Sequence, residues 1–373
     1  MNQPDHQLNH QPSHQPNNSP SAPSALVFDG VTKQYGKAIA VNNVSFTIEA
    51  RTMVTLLGPS GCGKTSTLRL IAGLERVSKG RILLGNEDVT LTSAAERDVS
   101  MVFQSYALFP HMTVLDNVSY GLLVAGVAKP QAHERARASL DLVGLADFSA
   151  RLPNELSGGQ QQRVAVARSL VLQPKILLLD EPLSNLDTKL RRRVRDEIRD
   201  IQLKLGLTAV YVTHDQEEAL AISDQIIVMN RQVIAQKGTP HELFESPADK
   251  FVADFICNAN IVDGYIESVS DGRAACVLGA LRLSLPYRGA RTGAASFALR
   301  PEALCLAPAH ADSALVVTVA RATYLGREMQ YTLDTPFGAL FAVSHDLSRV
   351  FRQGSSVAMT VHPHGAAIIG GQA

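Results

Sequence analysis

The chain has 373 residues, 45% of them apolar and 19% charged, with 35 basic and 35 acidic side chains. That is enough for two ordinary domains, and a formal net charge of zero gives no electrostatic reason to expect nucleic acid as a partner. No apolar run approaches the roughly 20 residues that a membrane-spanning helix needs; the best, at 122–127, is short and broken by Gly126. A role at a membrane is therefore expected to run through a partner. No charged segment followed by an apolar stretch opens the chain, which argues against export. Cys62, Cys257, Cys276 and Cys305 lack metal-ligand spacing and fit a reducing compartment.

Residues 1–24 carry almost no large apolar side chains and are expected to be a disordered tail. His6, His10 and His14 recur at spacing four within it, but Pro12 and Pro16 oppose the helix that would align them for a metal. From Ala25, ALVFDGVTKQYG and KAIAVNNVSFTIE predict strands joined by a glycine-containing turn, with Phe46 and Ile48 alternating against polar neighbours. MVTLLG (53–58) predicts a buried strand feeding a loop. TSTLRLIAGLE has helical spacing at Leu68, Ile71, Ala72 and Leu74. A helix-rich stretch spans about 114–150. It is followed by the helix SGGQQQRVAVARSLV, the strand KILLLDE, a charged helix over 188–205 and the strands TAVYVTH and QIIVMN. Strands alternating with helices predict an α/β core with a largely parallel sheet. Past about Asn258, short alternating segments separated by Gly, Pro and Asp predict a small all-β domain, with FVADFICNAN assignable to either side.

GPSGCGKT (58–65) matches G-x-x-x-x-G-K-[ST] between an apolar strand and a helix. Gly58, Pro59, Ser60, Gly61, Cys62, Gly63, Lys64 and Thr65, with Ser66 next in line, are expected to cradle ATP phosphates on backbone amides at the positive end of a helix dipole. Lys64 would meet the β- and γ-phosphates, and the Thr65 hydroxyl would ligate Mg²⁺. Cys62 lies inside this loop, where a modified thiol would obstruct nucleotide; a tolerated small side chain is the plainer reading. KILLLDEP is an apolar strand ending in two acids. Asp180 suits Mg²⁺ held through water, and Glu181 suits polarisation of the attacking water. In LSGGQ (156–160), Ser157 can cap a helix while Gly158 and Gly159 leave amides bare beside Gln160. The chain already has one phosphate cradle, so this second anion site is expected to face the γ-phosphate of another subunit.

With GPSGCGKT, KILLLDEP and LSGGQQQRVAVAR together, the chain resembles the nucleotide-binding subunits of ABC transporters over residues 25–257, with a helical subdomain near 105–155. The resemblance implies a P-loop ATPase that works as a head-to-tail homodimer with ATP between one P-loop and the other LSGGQ. It implies that Tyr35 stacks on adenine, that Gln104 senses Mg²⁺ and γ-phosphate, and that SNLD (184–187) crosses the dimer interface, with Asn185 where many relatives carry alanine. It also implies that His214 contacts the γ-phosphate. The helix-rich stretch after Gln104 would dock on an integral membrane permease at the cytoplasmic face, served indirectly by an extracytoplasmic solute-binding protein.

Residues 258–373, through ALRPE (298–302) and YLG (324–326), resemble the oligonucleotide-fold-like TOBE domain of importer ATPases, a fold name that carries no implication of nucleic-acid binding. MVTLLGPSGCGKT, MVFQSYALFPHM, LSGGQQQRVAVAR and SNLD together resemble ferric iron importer ATPases most, with polyamine, aminoethylphosphonate and sugar-phosphate systems close behind. A soluble ABC ATPase of DNA repair or translation is the competing class. Repair members place a long coiled coil between P-loop and signature, and translation members carry two cassettes. Here the two motifs stand about a hundred residues apart and occur once.

Overall fold

The structure is a computed structural model that describes residues 24–370 apart from 288, 311, 312 and 314; most of the expected tail, residues 1–23, and its histidines lie outside the described residues. Ser24, grouped above with that tail, opens the first strand and pairs with Glu49. In chain order the elements are β1 (Ser24–Tyr35), β2 (Ala38–Glu49), β3 (Met53–Leu57), α1 (Lys64–Ala72), β4 (Lys79–Leu84), β5 (Glu87–Asp88) and β6 (Val99–Val102). Then come α2 (Val114–Val124), α3 (Lys129–Leu142), α4 (Gly158–Leu170), β7 (Ile176–Asp180), α5 (Thr188–Leu205), β8 (Thr208–Thr213), α6 (Gln216–Ile222) and β9 (Gln225–Asn230). β10 (Val233–Gly238), α7 (Pro240–Glu245) and α8 (Lys250–Cys257) follow.

A six-stranded sheet in the order β10-β9-β3-β8-β7-β6 forms the centre. All its neighbours pair in parallel except β10, which runs antiparallel to β9. β3 and β8 are buried at every position, so their continuous apolar runs cover both faces. On one face lies α1, and over it a four-stranded antiparallel sheet, β2-β1-β4-β5. Leu26, Phe28 and Ile48 of that sheet join Leu68 and Ile71 of α1 and Leu56, Leu178 and Val210 of the central sheet in one core. Leu74, read above as helical, lies past the Gly73 cap of α1 and is half exposed. On the opposite face, α2, α3, α4 and α5 close a second core on Leu177, Leu179 and Tyr211. α5 shows why a strongly charged segment still forms a helix. Asp187 accepts from the amides of Lys189 and Leu190 at its start, left-handed Gly206 ends it, and Val194 and Ile198 make the one buried stripe.

The remainder is β11 (Asn260–Ser270), β12 (Arg273–Leu278), β13 (Leu281–Pro286), β14 (Gly293–Leu299), β15 (Leu304–Pro308), β16 (Val316–Tyr324), β17 (Met329–Thr335), β18 (Gly338–Ser344), β19 (Ser356–Val361) and β20 (Ala366–Ile368). They form two five-stranded sheets, β13-β12-β11-β14-β20 and β15-β19-β16-β17-β18, which share a core of Leu278, Phe297, Leu333 and Met359. The ambiguous segment FVADFICNAN is mostly α8, and it serves both sides. Val252 and Ile256 pack with Leu57, Ile226 and Leu243, whereas Ala253 joins Ala259, Ala298 and Ala367.

Arg300 pins the two parts across this seam. Its guanidinium donates to the carbonyls of Phe244 (2.8 Å) and His364 (3.0 Å) and stands 3.2 Å from a Glu245 carboxylate oxygen, 3.8 Å over the Phe244 ring. Arg300→Ala is expected to destabilise the chain by about 2 kcal/mol, read as a lowered midpoint in calorimetry of the full chain. Arg300→Lys should recover only part, since an ammonium does not bridge both carbonyls in one plane.

Candidate functional site

The parallel strands bring their C-terminal ends to one edge, where ligands of open α/β sheets bind. β3 delivers Gly58, β7 delivers Asp180 and Glu181, β8 delivers His214, and Gln104 lies two residues past β6. Within Gly58–Thr65 the backbone is closely packed at Gly58 and Gly63, whereas a Cβ on Gly61 would meet nothing within 4 Å. A Cβ on Gly58 would stand 2.3 Å from the Met229 carbonyl, and one on Gly63 2.4 Å from that of Ala40. Gly63 caps α1 in the left-handed region (φ 105°) without any side-chain hydrogen bond, and no acid occupies the first turn. The first amides of α1 are therefore uncapped and carry the positive end of its dipole, a site for an anion. Lys64 is buried, and its ammonium donates to the carbonyls of Gly58 (2.7 Å) and Pro59 (3.0 Å). Cys62 is buried too, and burial raises its thiol pKa above the ordinary value, so it is no exposed nucleophile.

Asp180 is held above the usual carboxylate range, first by burial and then by the adjacent Glu181; a hydrogen bond from the Thr65 hydroxyl and the charges of Arg69 and Lys64 oppose the shift. Glu181 itself has φ 43°, left-handed and non-glycine, a conformation that costs about 1–2 kcal/mol and recurs at functional sites. Its amide donates to the Val212 carbonyl (3.0 Å), fixing the turn against β8. His214 Nδ1 lies 3.3 Å from Glu181 Oε1. A chain of hydrogen bonds leads away from Glu181: its carbonyl accepts from Ser184 Oγ (3.1 Å), which accepts from Gln104 Nε2 (3.2 Å). Asn185 Nδ2 in turn donates to the Gln104 carbonyl (3.2 Å). The structure thus brings Lys64, Thr65, Asp180, Glu181, Gln104 and His214 to one sheet edge.

Ser157 and Gln160 form a reciprocal capping box at the start of α4: the Ser157 amide donates to Gln160 Oε1 (2.9 Å) and the Gln160 amide to Ser157 Oγ (3.4 Å). Ser157 is exposed, and this turn packs on α5. A Cβ on Gly158 would stand 3.2 Å from Leu186, and one on Gly159 3.1 Å from Leu190. Tyr35 ends β1 with its ring partly exposed. One ring face is covered by Lys33 Nζ at 4.5 Å, itself paired with Glu75 at 2.8 Å.

Three lines of likeness bear on this arrangement. The ABC transporter family profile matches residues 41–184, and the TOBE domain profile matches residues 297–369. A relative named Fe(3+) ions import ATP-binding protein FbpC, from Agrobacterium fabrum, is 52% identical over 93% of this chain and 98% of its own length. A namesake from Brucella abortus is 54% identical over the same shares. The chain belongs to the ATP-binding subunits of ABC transporters. The solved structure of cbiO1 from Clostridium perfringens, part of the ABC transporter complex cbiONQ, is 27% identical with a TM-score of 0.56, covering 59% of this chain and 90% of that one. The dimeric structure of MJ0796, a bacterial ABC transporter cassette, is 31% identical with a TM-score of 0.52, covering 58% of this chain and 98% of that one.

For an ABC subunit, the residues that sequence reasoning missed lie behind its site. Thr213, Asp215 and Glu218 join Glu181, Ser184, Arg191 and His214 around a cavity of about 50 Å³. Burial raises the Glu218 pKa, and the hydroxyls of Thr213 (2.8 Å) and Tyr211 (3.1 Å) donate to its carboxylate. Arg191 reaches from α5 to the Leu186 carbonyl (3.1 Å), to Asp215 (3.5 Å) and to Glu218 (3.6 Å). The run YVTHDQEE displayed the acids, but nothing local marked one as buried.

Gly63→Ala is expected to strain the loop by about 1–3 kcal/mol and to weaken ATP binding about tenfold or more, titrated with a fluorescent ATP analogue. Gly85→Ala, at φ 59° with no atom within 4 Å of the new Cβ, is expected to bind as the parent does.

Proposed function

We propose that this chain is the subunit that binds and hydrolyses ATP to energise an importer, and that its cargo is ferric iron. The observation that carries the cargo is the 52–54% identity, over 93% of the chain, to relatives named for Fe(3+) import. The sheet-edge geometry supports the chemistry. In this reading Gly58, Pro59, Ser60, Gly61, Cys62, Gly63, Lys64, Thr65 and Ser66 hold the phosphates through bare amides and the Lys64 ammonium, which moves from loop carbonyls to phosphate oxygens. Tyr35 offers its free ring face to adenine. Glu181 orients the attacking water, and His214, 3.3 Å away, stabilises charge on the γ-phosphate.

Mg²⁺ fits the donors present: a Thr65 hydroxyl, the Gln104 amide oxygen and the Asp180 carboxylate are hard oxygen ligands, with phosphate oxygens completing the set. Among the described residues no cluster of three or more His, Cys, Asp or Glu could hold a metal alone, which agrees with an ion that arrives with nucleotide. When bound it would neutralise phosphate charge and let the part-buried Asp180 carboxylate ionise at lower cost.

Ser157 is exposed at the start of α4, and in this reading its turn is an anion site without a nucleotide of its own, so that in a dimer each signature turn completes the other subunit's ATP site. No helix among the described residues is long and apolar enough to cross a membrane. The permease contact is assigned to a groove of about 490 Å³ whose lining includes Leu74, Met101, Phe103, Phe109, Tyr120 and Leu172. Leu74, Phe103, Tyr120 and Leu172 are exposed apolar side chains there, beside Gln104. In this reading the partner is a multi-span permease at the cytoplasmic membrane face, fed by a solute-binding protein, as the likeness to import ATP-binding proteins suggests.

Glu181→Gln is expected to slow hydrolysis by about 10²–10⁴-fold while an ATP-bound dimer accumulates in size-exclusion chromatography with light scattering. Turnover at the parent rate would remove Glu181 from its role. For cargo, cells lacking this chain are expected to lose uptake of ⁵⁵Fe(III) and to regain it with the wild type but not with Glu181→Gln. Unchanged iron uptake alongside lost polyamine or phosphonate uptake would overturn the iron reading.

A further inference from the structure

The loop between Gln104 and α2 contains two consecutive non-glycine residues in the left-handed region, Tyr106 (φ 60°) and Ala107 (φ 47°). L-residues avoid this region because Cβ crowds the following carbonyl, so a neighbouring group must hold the pair there. That group is Arg168, in the last turn of α4. Its Nη1 donates to the Ala107 carbonyl (2.8 Å) and its Nη2 to the Tyr106 carbonyl (3.0 Å). Successive residues of one helical hand turn their carbonyls to the same side, and the planar fork of a guanidinium matches that pair where an ammonium would not. Among the described residues no carboxylate pairs with Arg168; besides these carbonyls its guanidinium stands over the Phe109 ring at 5.9 Å. The Tyr106 ring is buried, and the Tyr106 amide donates to the Phe103 carbonyl (2.9 Å), which closes a turn directly around Gln104.

We propose that Arg168 is a positioning residue for hydrolysis. By holding Tyr106 and Ala107 in their turn, it sets where Gln104 stands, and through Ser184 it sets the Gln104 link to the Glu181 carbonyl. Arg168 sits on the helix that the Ser157–Gln160 turn begins, so one rigid element joins the anion site offered to the other subunit to the loop that carries Gln104. The inference rests on the assignment of Gln104 to the γ-phosphate site. It adds that Gln104 is placed by a side chain 64 positions away that touches neither nucleotide nor metal.

The test is steady-state ATPase kinetics on the full-length protein with Arg168→Ala, Arg168→Lys, Gln104→Ala and the double variant Arg168→Ala/Gln104→Ala. Arg168→Ala is expected to lower kcat about tenfold with KM for ATP changed less than about twofold, because the phosphate loop is untouched. Arg168→Lys should fall between, keeping the charge and losing the fork. The double variant should be no slower than the slower single variant, since both changes remove one arrangement. Parent-like kcat in Arg168→Ala, or multiplied losses in the double variant, would overturn the positioning role while leaving Gln104 in place. Parent-like kcat in Gln104→Ala would instead sink the assignment of Gln104, and the positioning role with it. If Arg168→Ala does not fold, Arg168→Lys and Arg168→Gln carry the same comparison.

Discussion

Two backbone carbonyls, those of Met229 and Ala40, press against the phosphate loop at Gly58 and Gly63 with room for a hydrogen and nothing larger. Much else in the ATPase half follows from that contact. It comes from both layers at once: Met229 belongs to β9 of the central sheet and Ala40 to β2 of the antiparallel sheet. The loop is therefore clamped between the layers, and α1 leaves it at a fixed angle with bare amides pointing into the mouth. A flexible loop would have to pay an ordering entropy each time nucleotide bound; here folding has already met it.

Three of the left-handed non-glycine residues stand in the same neighbourhood. Glu181, Tyr106 and Ala107 are left-handed, and each is held by a hydrogen bond from outside its own turn: the Val212 carbonyl for Glu181, the Arg168 guanidinium for the other two. Segments held this way have a defined alternative, the relaxed conformation they would adopt if the outside group let go. That property suits the proposed cycle, in which the parts of the site assemble with nucleotide and separate after hydrolysis.

The central sheet was readable because its chemistry is local. MVTLLG, KILLLDE and TAVYVTH announce buried parallel strands by unbroken apolar runs, and GPSGCGKT and LSGGQ announce anion sites by glycine next to a helix start. Asp187 and Gly206 even mark the ends of α5. What stayed hidden depends on distance along the chain. Nothing around Arg168 names Tyr106, nothing around Lys33 names Glu75, and the burial of Glu218 arises where α6 folds back on β8. The helices α6 and α7 were passed over because six or seven residues are too few for a helical period to show, and the strand β10 because its VIAQKG, unlike the equally short QIIVMN of β9, carries no long apolar run. In the β region, alternation revealed strands but not that they divide into two sheets, since pairing partners are set by turns rather than by strand composition.

The seam between the two halves has a consequence of its own. Ala253, Ala259, Ala298 and Ala367 meet there, with Cys257, Ile261 and Ile369 packed against them. Such short side chains offer few knobs and sockets, so dispersion forces favour contact while fixing alignment only weakly. Registration comes from directional contacts: Arg300, held on its own side by the His364 carbonyl, donates across the seam to the Phe244 carbonyl, the Gly370 amide donates to the Pro247 carbonyl (3.3 Å), and Lys250 pairs with Asp263 (3.5 Å). The β region thus gains its attachment from one kind of force and its heading from another, and the two can be altered separately.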